Sequence, residues 1–345
     1  MVNLGDAAAR VRSTGRLLKG LLATRLFGRP LLLSHLVTCR CPCRCQTCLW
    51  RGLVEEEMTA EEIRPVYREA AAAGCRINSI WGGEPLVRRD LAQILRYSRE
   101  AGLNTVVITN GKELPNQAEE LAPHLDGVIL SLDHPSPHHD ELRGLPGLFD
   151  AVLASIELFH RRYPRVSVVL NSVISTFNAD AVIDLARLAR ELKAGIYFNP
   201  IETGMRDSQG LVPTKARFAA SPELLSELFS KLRAYKRAGW PICNSENYLR
   251  TFIGGRKPYT CQARKVALEL RPNGDLVDCL DRSRPVANVR TTSLLSLLRQ
   301  PEVFRRRMAP TTCQVCNNAN VIDCSYLWQF RPESILSLVR VHLRP

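Results

Sequence analysis

The stretch Cys41-Pro42-Cys43-Arg44-Cys45-Gln46-Thr47-Cys48 stands just after the apolar run of residues 31–37. Within it Cys41, Cys45 and Cys48 stand in the spacing C-x3-C-x2-C. Thiolates this close can hold three corners of a four-iron four-sulfur cluster and leave the fourth iron open to a small molecule. An open iron is a place for chemistry, whereas a cluster with four protein ligands carries electrons or shape. Two other readings compete. A zinc ribbon wants paired C-x2-C knuckles, and only Cys45 and Cys48 form one here. A disulfide framework suits short secreted chains, and this chain has 345 residues with no secretory signal apparent. Iron–sulfur is the favoured reading. Cys39 and Cys43 fit no cluster spacing and read as spare thiols beside the site.

Outward from the cysteines, strand and helix patterns alternate to about residue 200. Strands are predicted over residues 31–37, 76–81, 104–109, 127–132, 166–174 and 195–198. Thr59-x-x-Glu62 is a capping box for a helix running to Gly74. Further helices are predicted near 91–101, 117–121 and 148–160. Asn178 is expected to cap a helix carrying Val182, Leu185, Leu188 and Leu192. Six βα units mean an α/β fold with helices packed on a parallel sheet. Six are too few for a closed eight-stranded barrel. The expectation is therefore a curved, open, partial (β/α)6 barrel of parallel strands, with its chemistry at the carboxyl ends of the strands. The cysteine loop lies at that end.

Polar groups mark the other strand ends. Gly82-Gly83-Glu84-Pro85 follows the second strand, and a glycine pair lets backbone approach a ligand closely. Thr109-Asn110-Gly111 follows the third, Ser131 and Asp133 close the fourth, and Asn171, Ser172 and Asn199 belong to the fifth and sixth. His134, His138 and His139 sit just past Asp133 and read as polar residues of an exposed loop rather than proton carriers.

In this order the cysteine triad, the GGEP turn and the strand-end polar groups resemble the radical SAM enzymes. The resemblance implies that S-adenosylmethionine (SAM) chelates the open iron of a cluster on Cys41, Cys45 and Cys48. One electron then cleaves SAM to a 5'-deoxyadenosyl radical, which abstracts a hydrogen atom from a substrate. It also implies SAM contacts at Gly82, Gly83, Glu84, Pro85, Thr109, Asn110, Ser131, Asp133, Asn171 and Asn199. The family usually has an aromatic residue just before the third cysteine. Here that residue is Thr47 and Trp50 follows instead, so the match is to the spacing.

A second group of cysteines comprises Cys261, Cys279, Cys313, Cys316 and Cys324. Residues 266–270 and 275–277 flank Pro272-Asn273-Gly274, a hairpin signal that brings Cys261 and Cys279 together. One helix is predicted over 292–308. The pattern resembles the Twitch form of the SPASM auxiliary-cluster domain. That resemblance implies a second, fully coordinated four-iron cluster on Cys261, Cys279, Cys313 and Cys316, with Cys324 a substitute or a bystander. A structural zinc site with the same thiolates is the alternative.

The chain divides into a basic amphipathic segment (1–30), the barrel (31–205), a linker and helix opened by Ser221 and Pro222 (206–239), a smaller α+β auxiliary-cluster domain (240–330) and an amphipathic tail (331–345). The composition, 45% hydrophobic and 23% charged, is that of a globular protein. The net charge of +13 comes without a zinc-finger, RNA-recognition or helix-turn-helix signature, so no nucleic acid is expected. Residues 1–30 carry Arg10, Arg12, Arg16, Lys19, Arg25 and Arg29 against Asp6, with Leu4, Ala8, Val11, Leu18 and Leu22 at helical spacing. Such a helix either lies on anionic lipid or docks on the main domain. The expected location is cytoplasmic, with peripheral contact at the inner face of the membrane. The substrate readings are a small molecule or lipid, first an isoprenoid or membrane lipid; a ribosomal peptide or protein; and a sugar or aminoglycoside. A flavodoxin or ferredoxin is the expected electron donor. The reading from another class is a non-catalytic iron–sulfur or zinc scaffold.

Overall fold

The computed structural model describes residues 4–50, 52–203, 214–257, 259–279, 285–314 and 316–343. After α1 (Leu4–Phe27) the alternation runs β1 (Leu32–Leu36), α2 (Ala60–Ala73), β2 (Ile77–Trp81), α3 (Leu91–Glu100), β3 (Asn104–Thr109), α4 (Leu114–Leu121), β4 (Gly127–Ser131), α5 (His138–Arg143), α6 (Leu148–Arg162), β5 (Ser167–Ile174), α7 (Val182–Glu191) and β6 (Gly195–Pro200). The remainder carries α8 (Pro222–Arg237), α9 (Glu246–Thr251), α10 (Ala263–Val266), β7 (Ala267–Leu270), β8 (Asp275–Val277), β9 (Ala287–Asn288), α11 (Leu294–Arg299), α12 (Pro301–Met308), α13 (Ala319–Trp328) and α14 (Pro332–Leu343).

The described residues form one nine-stranded sheet in the order β6-β5-β4-β3-β2-β1-β7-β8-β9. Strands β1 to β6 pair in parallel, each joined to the next through a helical crossover. This is the six-unit barrel expected. The hairpin also forms, with Gly274 at φ 90°, a left-handed turn position that favours glycine. The hairpin does not stand apart from the barrel. Strand β7 runs parallel to β1, with Leu32 opposite Ala267 and Ser34 opposite Glu269. The C-terminal part thus extends the barrel's own sheet, and β8 and β9 add antiparallel beyond it.

Local chemistry sets the helix ends. The Thr59 hydroxyl accepts from the Glu62 amide (3.3 Å) and the Glu62 carboxylate accepts from the Thr59 amide (2.8 Å), completing the capping box of α2. That helix turns Ile63, Val66, Tyr67 and Ala70 into the core, where a residue like Ile63 contributes about 2 kcal/mol by leaving water. Ser221 caps α8 as expected, accepting from the Leu224 amide at 3.2 Å. Two expectations fail. Asn178 does not cap α7: its amide donates to the Asp133 and Val173 carbonyls and its oxygen accepts from Ser175. The helix predicted over 292–308 is two, because Pro301 forces Gln300 into an extended backbone (ψ 128°) between α11 and α12.

Helix α1 is docked. Leu17, Leu21 and Thr24 are buried, and Gly20 passes so close that a Cβ there would lie 2.8 Å from Leu31 Cδ1. Its outer face leaves Leu18, Leu22, Leu26 and Phe27 exposed at 36%, 49%, 70% and 67%. The side chains of Leu4, Asp6, Ala8, Arg10, Val11 and Arg12 lie outside the described ones, as do linker residues 206–213 and the last residues of the tail.

Candidate active site

The cysteine loop leaves β1 at the carboxyl end of the sheet and is pinned on both sides. On entry, the Thr38 hydroxyl donates to Glu57 (2.5 Å) and accepts from the Arg40 amide (3.0 Å). On exit, Arg88 donates to the Val37 and Met58 carbonyls (2.9 Å each), and Arg40 and Arg88 both pair with Glu57. Cys41 is exposed, Cys45 and Cys48 are half-buried, and Cys39 and Cys43 are buried.

The GGEP turn after β2 locks onto this loop through backbone. The Gly83 amide donates to the Thr38 carbonyl (2.7 Å) and the Glu84 amide to the Arg40 carbonyl (2.8 Å). A Cβ at Gly82 would lie 2.5 Å from Thr38 O, and one at Gly83 would lie 2.4 Å from Arg40 O and 2.5 Å from Cys39 O. Only glycine fits either place. The Glu84 carboxylate points away from the loop. It accepts from the Thr109 hydroxyl and the Asn110 amide (2.6 Å each) and from the Leu86 amide (3.0 Å). Burial raises its pKa although these bonds work against the rise. Pro85 is buried beside it. The Asn110 side chain turns back to the loop and donates to Cys43 Sγ at 3.5 Å.

A third wall comes from α5. Arg143 accepts at its carbonyl from the Arg44 amide (2.8 Å) and the Cys45 thiol (3.9 Å). Its guanidinium, 14% exposed, forms two bonds of 2.8 Å with Asp133. The other Asp133 oxygen accepts from the Val173 amide at 2.9 Å. Burial alone would lower the Arg143 pKa, but Asp133 and the Cys45 and Cys43 thiols outweigh it and raise it. A hydrogen bond with Cys43 is the main reason the Cys41 and Cys45 thiols are lowered, Cys45 to about 6 with Arg143 assisting. The cost falls on Cys43, which is raised. No sequence motif marks Arg143; its role comes from the tertiary fold.

The remaining strand-end residues divide. Ser131 is buried at the end of β4. Asn199 donates to the Asn171 side chain (2.8 Å) and accepts from the Ala319 amide (2.7 Å), so this pair joins β5 and β6 to α13. The histidines serve structure: His138 meets Glu141, His134 meets Ser136, and buried His139 accepts from the Asp133 amide and is lowered to about 4 by burial.

Below the mouth of the barrel, the Cys261 amide donates to the Cys313 carbonyl at 3.4 Å. Cys316 donates from its thiol to Glu202 at 3.2 Å, and the other Glu202 oxygen accepts from the Asn317 amide at 2.8 Å. Burial first, and then Glu202 and Cys279 nearby, raise the Cys316 thiol. Sequence reasoning missed Glu202, which carries no local signature. Cys324 instead sits in an apolar cluster with Leu21, Leu31, Val266 and Leu327. Among the described residues no three His, Cys, Asp or Glu side chains converge on a single-ion position. A four-iron cluster takes one thiolate per corner and needs no such convergence.

Residues 36–189 match the family model of the radical SAM superfamily. The AdoMet-dependent heme synthase of Methanosarcina barkeri is 34% identical over 189 residues, covering 52% of this chain and 53% of that protein, so the chain spans about half its length. The PqqA peptide cyclase of Rhizobium meliloti is 26% identical over 341 residues, covering 92% and 86%. Among solved structures, Streptococcus suis SuiB bound to S-adenosylmethionine aligns with TM-score 0.67 at 18% identity over 89% of this chain and 76% of that one. The peptide-bound anSMEcpe structure aligns at 0.61 and 15% over 90% and 99%. The matched segment, running from the cysteine loop through the barrel helices, is a radical SAM domain, and its fold is shared with those structures.

Proposed function

We propose that Cys41, Cys45 and Cys48 hold a four-iron four-sulfur cluster and that the chain uses it to modify a peptide. When bound, the cluster supplies the electron that splits S-adenosylmethionine into methionine and a 5'-deoxyadenosyl radical, which takes a hydrogen atom from the substrate. The observation that carries this reading is the lock between loop and GGEP turn, where two glycines stand too close for any Cβ. The Gly82-Gly83 backbone borders the cysteine loop where the amino group of SAM would lie. Thr109, Asn110 and Ser131 line the adjoining strand ends. Arg143 balances thiolate charge from beneath. Glu84 and Asp133 work by holding turns, since their oxygens are occupied by protein groups. Anaerobically reconstituted, reduced protein given SAM should release 5'-deoxyadenosine, and a Cys45→Ala variant should release none. Wild type that binds iron yet leaves SAM intact would turn the reading to a non-catalytic scaffold.

The same reading places a second cluster on Cys261, Cys279, Cys313 and Cys316 and leaves out Cys324, which is sealed among apolar side chains. Wild type should then hold about eight irons, and a Cys313→Ala/Cys316→Ala variant about four. About four in both would remove the second cluster.

The peptide is favoured because the relative that aligns along most of both chains is named a peptide cyclase. The outer face of α1 supports a second reading, a lipid-linked substrate met at an anionic membrane. Leu18, Leu22, Leu26 and Phe27 are exposed there, and the exposed charges among them, Arg16, Lys19, Arg25 and Arg29, are all cationic. Among the described residues no helix is long and apolar enough to cross a membrane. Co-sedimentation with vesicles decides: binding to anionic but not neutral vesicles, abolished in Leu22→Glu/Leu26→Glu, would establish peripheral contact. No binding leaves the peptide alone. An acidic flavodoxin or ferredoxin fits as electron donor by charge, given the net +13.

A further inference from the structure

The turn between β7 and β8 grips the outgoing limb of the cysteine loop. The turn first fixes the backbone of Arg271, whose amide donates to the Asp275 carbonyl at 2.9 Å and whose carbonyl accepts from the Gly274 amide at 3.1 Å. From there the guanidinium reaches Glu55 with two prongs, Nε donating to Oε2 at 3.3 Å and Nη2 to Oε1. A two-pronged pair fixes direction as well as distance. Both side chains are largely buried, whereas the neighbouring Val54 is 93% exposed. The limb thus buries a charge and leaves a valine in water, against the ordinary partition of residues. The ion pair, and not hydrophobic burial, sets which face of the limb turns inward.

Backbone contacts reinforce the grip. The Met58 amide donates to the Pro272 carbonyl at 2.8 Å, and buried Met58 packs its sulfur 3.3 Å from where a Cβ on Gly274 would stand. Between Glu55 and Met58 lies Glu57. Its carboxylate accepts from the Thr38 hydroxyl and, at 2.9 and 2.8 Å, from the Arg40 guanidinium. Arg40 adjoins Cys41. On its other side Arg271 walls one small cavity together with Trp50 and Leu36, and the Trp50 amide donates to Cys48 Sγ at 3.3 Å. The turn therefore bears on both ends of the triad, on Cys41 through Glu57 and Arg40 and on Cys48 through Trp50.

We propose that Arg271 is a positioning residue for the triad: by pairing with Glu55 it keeps the loop in the arrangement that presents Cys41, Cys45 and Cys48 together. This rests on the cluster reading above. A loop that spends less time in that arrangement weakens the apparent affinity for SAM by the lost fraction, while turnover of SAM once bound is kept. In reconstituted protein, Arg271→Gln and Glu55→Gln should each raise the KM for SAM about tenfold, with kcat for 5'-deoxyadenosine little changed. The double variant should also show about tenfold rather than a hundredfold, because the two side chains act as one. It strands no charge, so it serves as the test where a single variant fails to fold. Iron content and thermal midpoint keep misfolding apart from lost positioning. A wild-type KM in the variants, a hundredfold rise in the double, or a fall in kcat at unchanged KM overturns the proposal. Hydrogen exchange before reconstitution reads the hold without the cluster: amides of residues 38–58 should exchange about tenfold faster in Arg271→Gln, and those of β4 and β5 as in wild type. Unchanged exchange over residues 38–58 also overturns it. Wild type that leaves SAM intact, while the variant's loop exchanges faster, would fault the radical reading and leave the hold standing.

Discussion

Cys41, Cys45 and Cys48 come from eight consecutive residues and are held by backbone atoms of Gly83, Glu84 and Arg143. Cys261, Cys279, Cys313 and Cys316 come from three separate stretches, brought near one another in the fold: the Cys261 amide reaches the Cys313 carbonyl, and Cys279 lies near enough to Cys316 to help raise its thiol. The charged partners differ as well. A guanidinium underlies the first group, through Arg143, and a carboxylate underlies the second, through Glu202. Cys41 and Cys45 are lowered, whereas Cys261 and Cys316 are raised. On the ligation proposed above, the loop starts nearer to thiolate, and Cys261 and Cys316 must first give up protons that burial holds.

The sharpest way to break this comparison is Gly83→Ala. Its Cβ would press on the Arg40 and Cys39 carbonyls, and displacing a reacting group by about 1 Å costs on the order of a hundredfold. We expect 5'-deoxyadenosine formation to fall by at least that, with iron retained only at the C-terminal thiols. Activity near wild type would show that the lock does not position the loop.

Arg143→Leu comes next. It strands Asp133, and breaking a buried pair costs about 3–5 kcal/mol. It should also lower the reduction potential of the first cluster, because the cation that favours the added electron is gone. Arg143→Lys should restore charge but only part of the two-pronged geometry. Denaturant unfolding and a redox titration read the two effects, and an unchanged potential in Arg143→Leu would remove the charge argument.

The pH at which each site fills should separate the two groups. Ligand thiols must lose their protons to bind iron. A folded pKa of about 6 at Cys45 means proton competition ends at lower pH there than at Cys261 or Cys316, which burial raises. Reconstitution at a pH of about 6.5 should therefore give about four irons, and about eight at higher pH. Simultaneous filling across that range would erase the distinction.

The smallest effect belongs to Glu202→Gln, which keeps the shape but drops the charge. Stability should move by about 1 kcal/mol, and the potential of the second cluster should rise with 5'-deoxyadenosine formation little changed. A large loss of that product would instead tie Glu202 to the first site.

These differences also explain what could be read from residues alone. The barrel was legible because its strands are apolar runs at regular spacing and its first functional loop is contiguous. The GGEP turn was legible for the same reason. Arg143 and Glu202 were not, since each acquires its role from a partner far away in sequence: Asp133 and the cysteine loop for the first, Cys316 for the second. Asn178 was misread because its side chain had a better use than a cap, in closing the turn beneath Asp133. The break at Pro301 was available from its missing amide.

The pairing of β1 with β7 bears on how the chain is made. Leu32 leaves the ribosome early and its partner Ala267 late. Until then the edge of β1 next to the cysteine loop is an open row of amides and carbonyls, the kind that recruits other strands. Closing it is among the longest-range pairings in the fold, and such contacts form slowly. A chain ended before residue 267 should keep that edge open and scatter light on standing, whereas the full chain should not. Nascent chains of this protein are thus most in need of a chaperone in the interval between the first strand and the seventh.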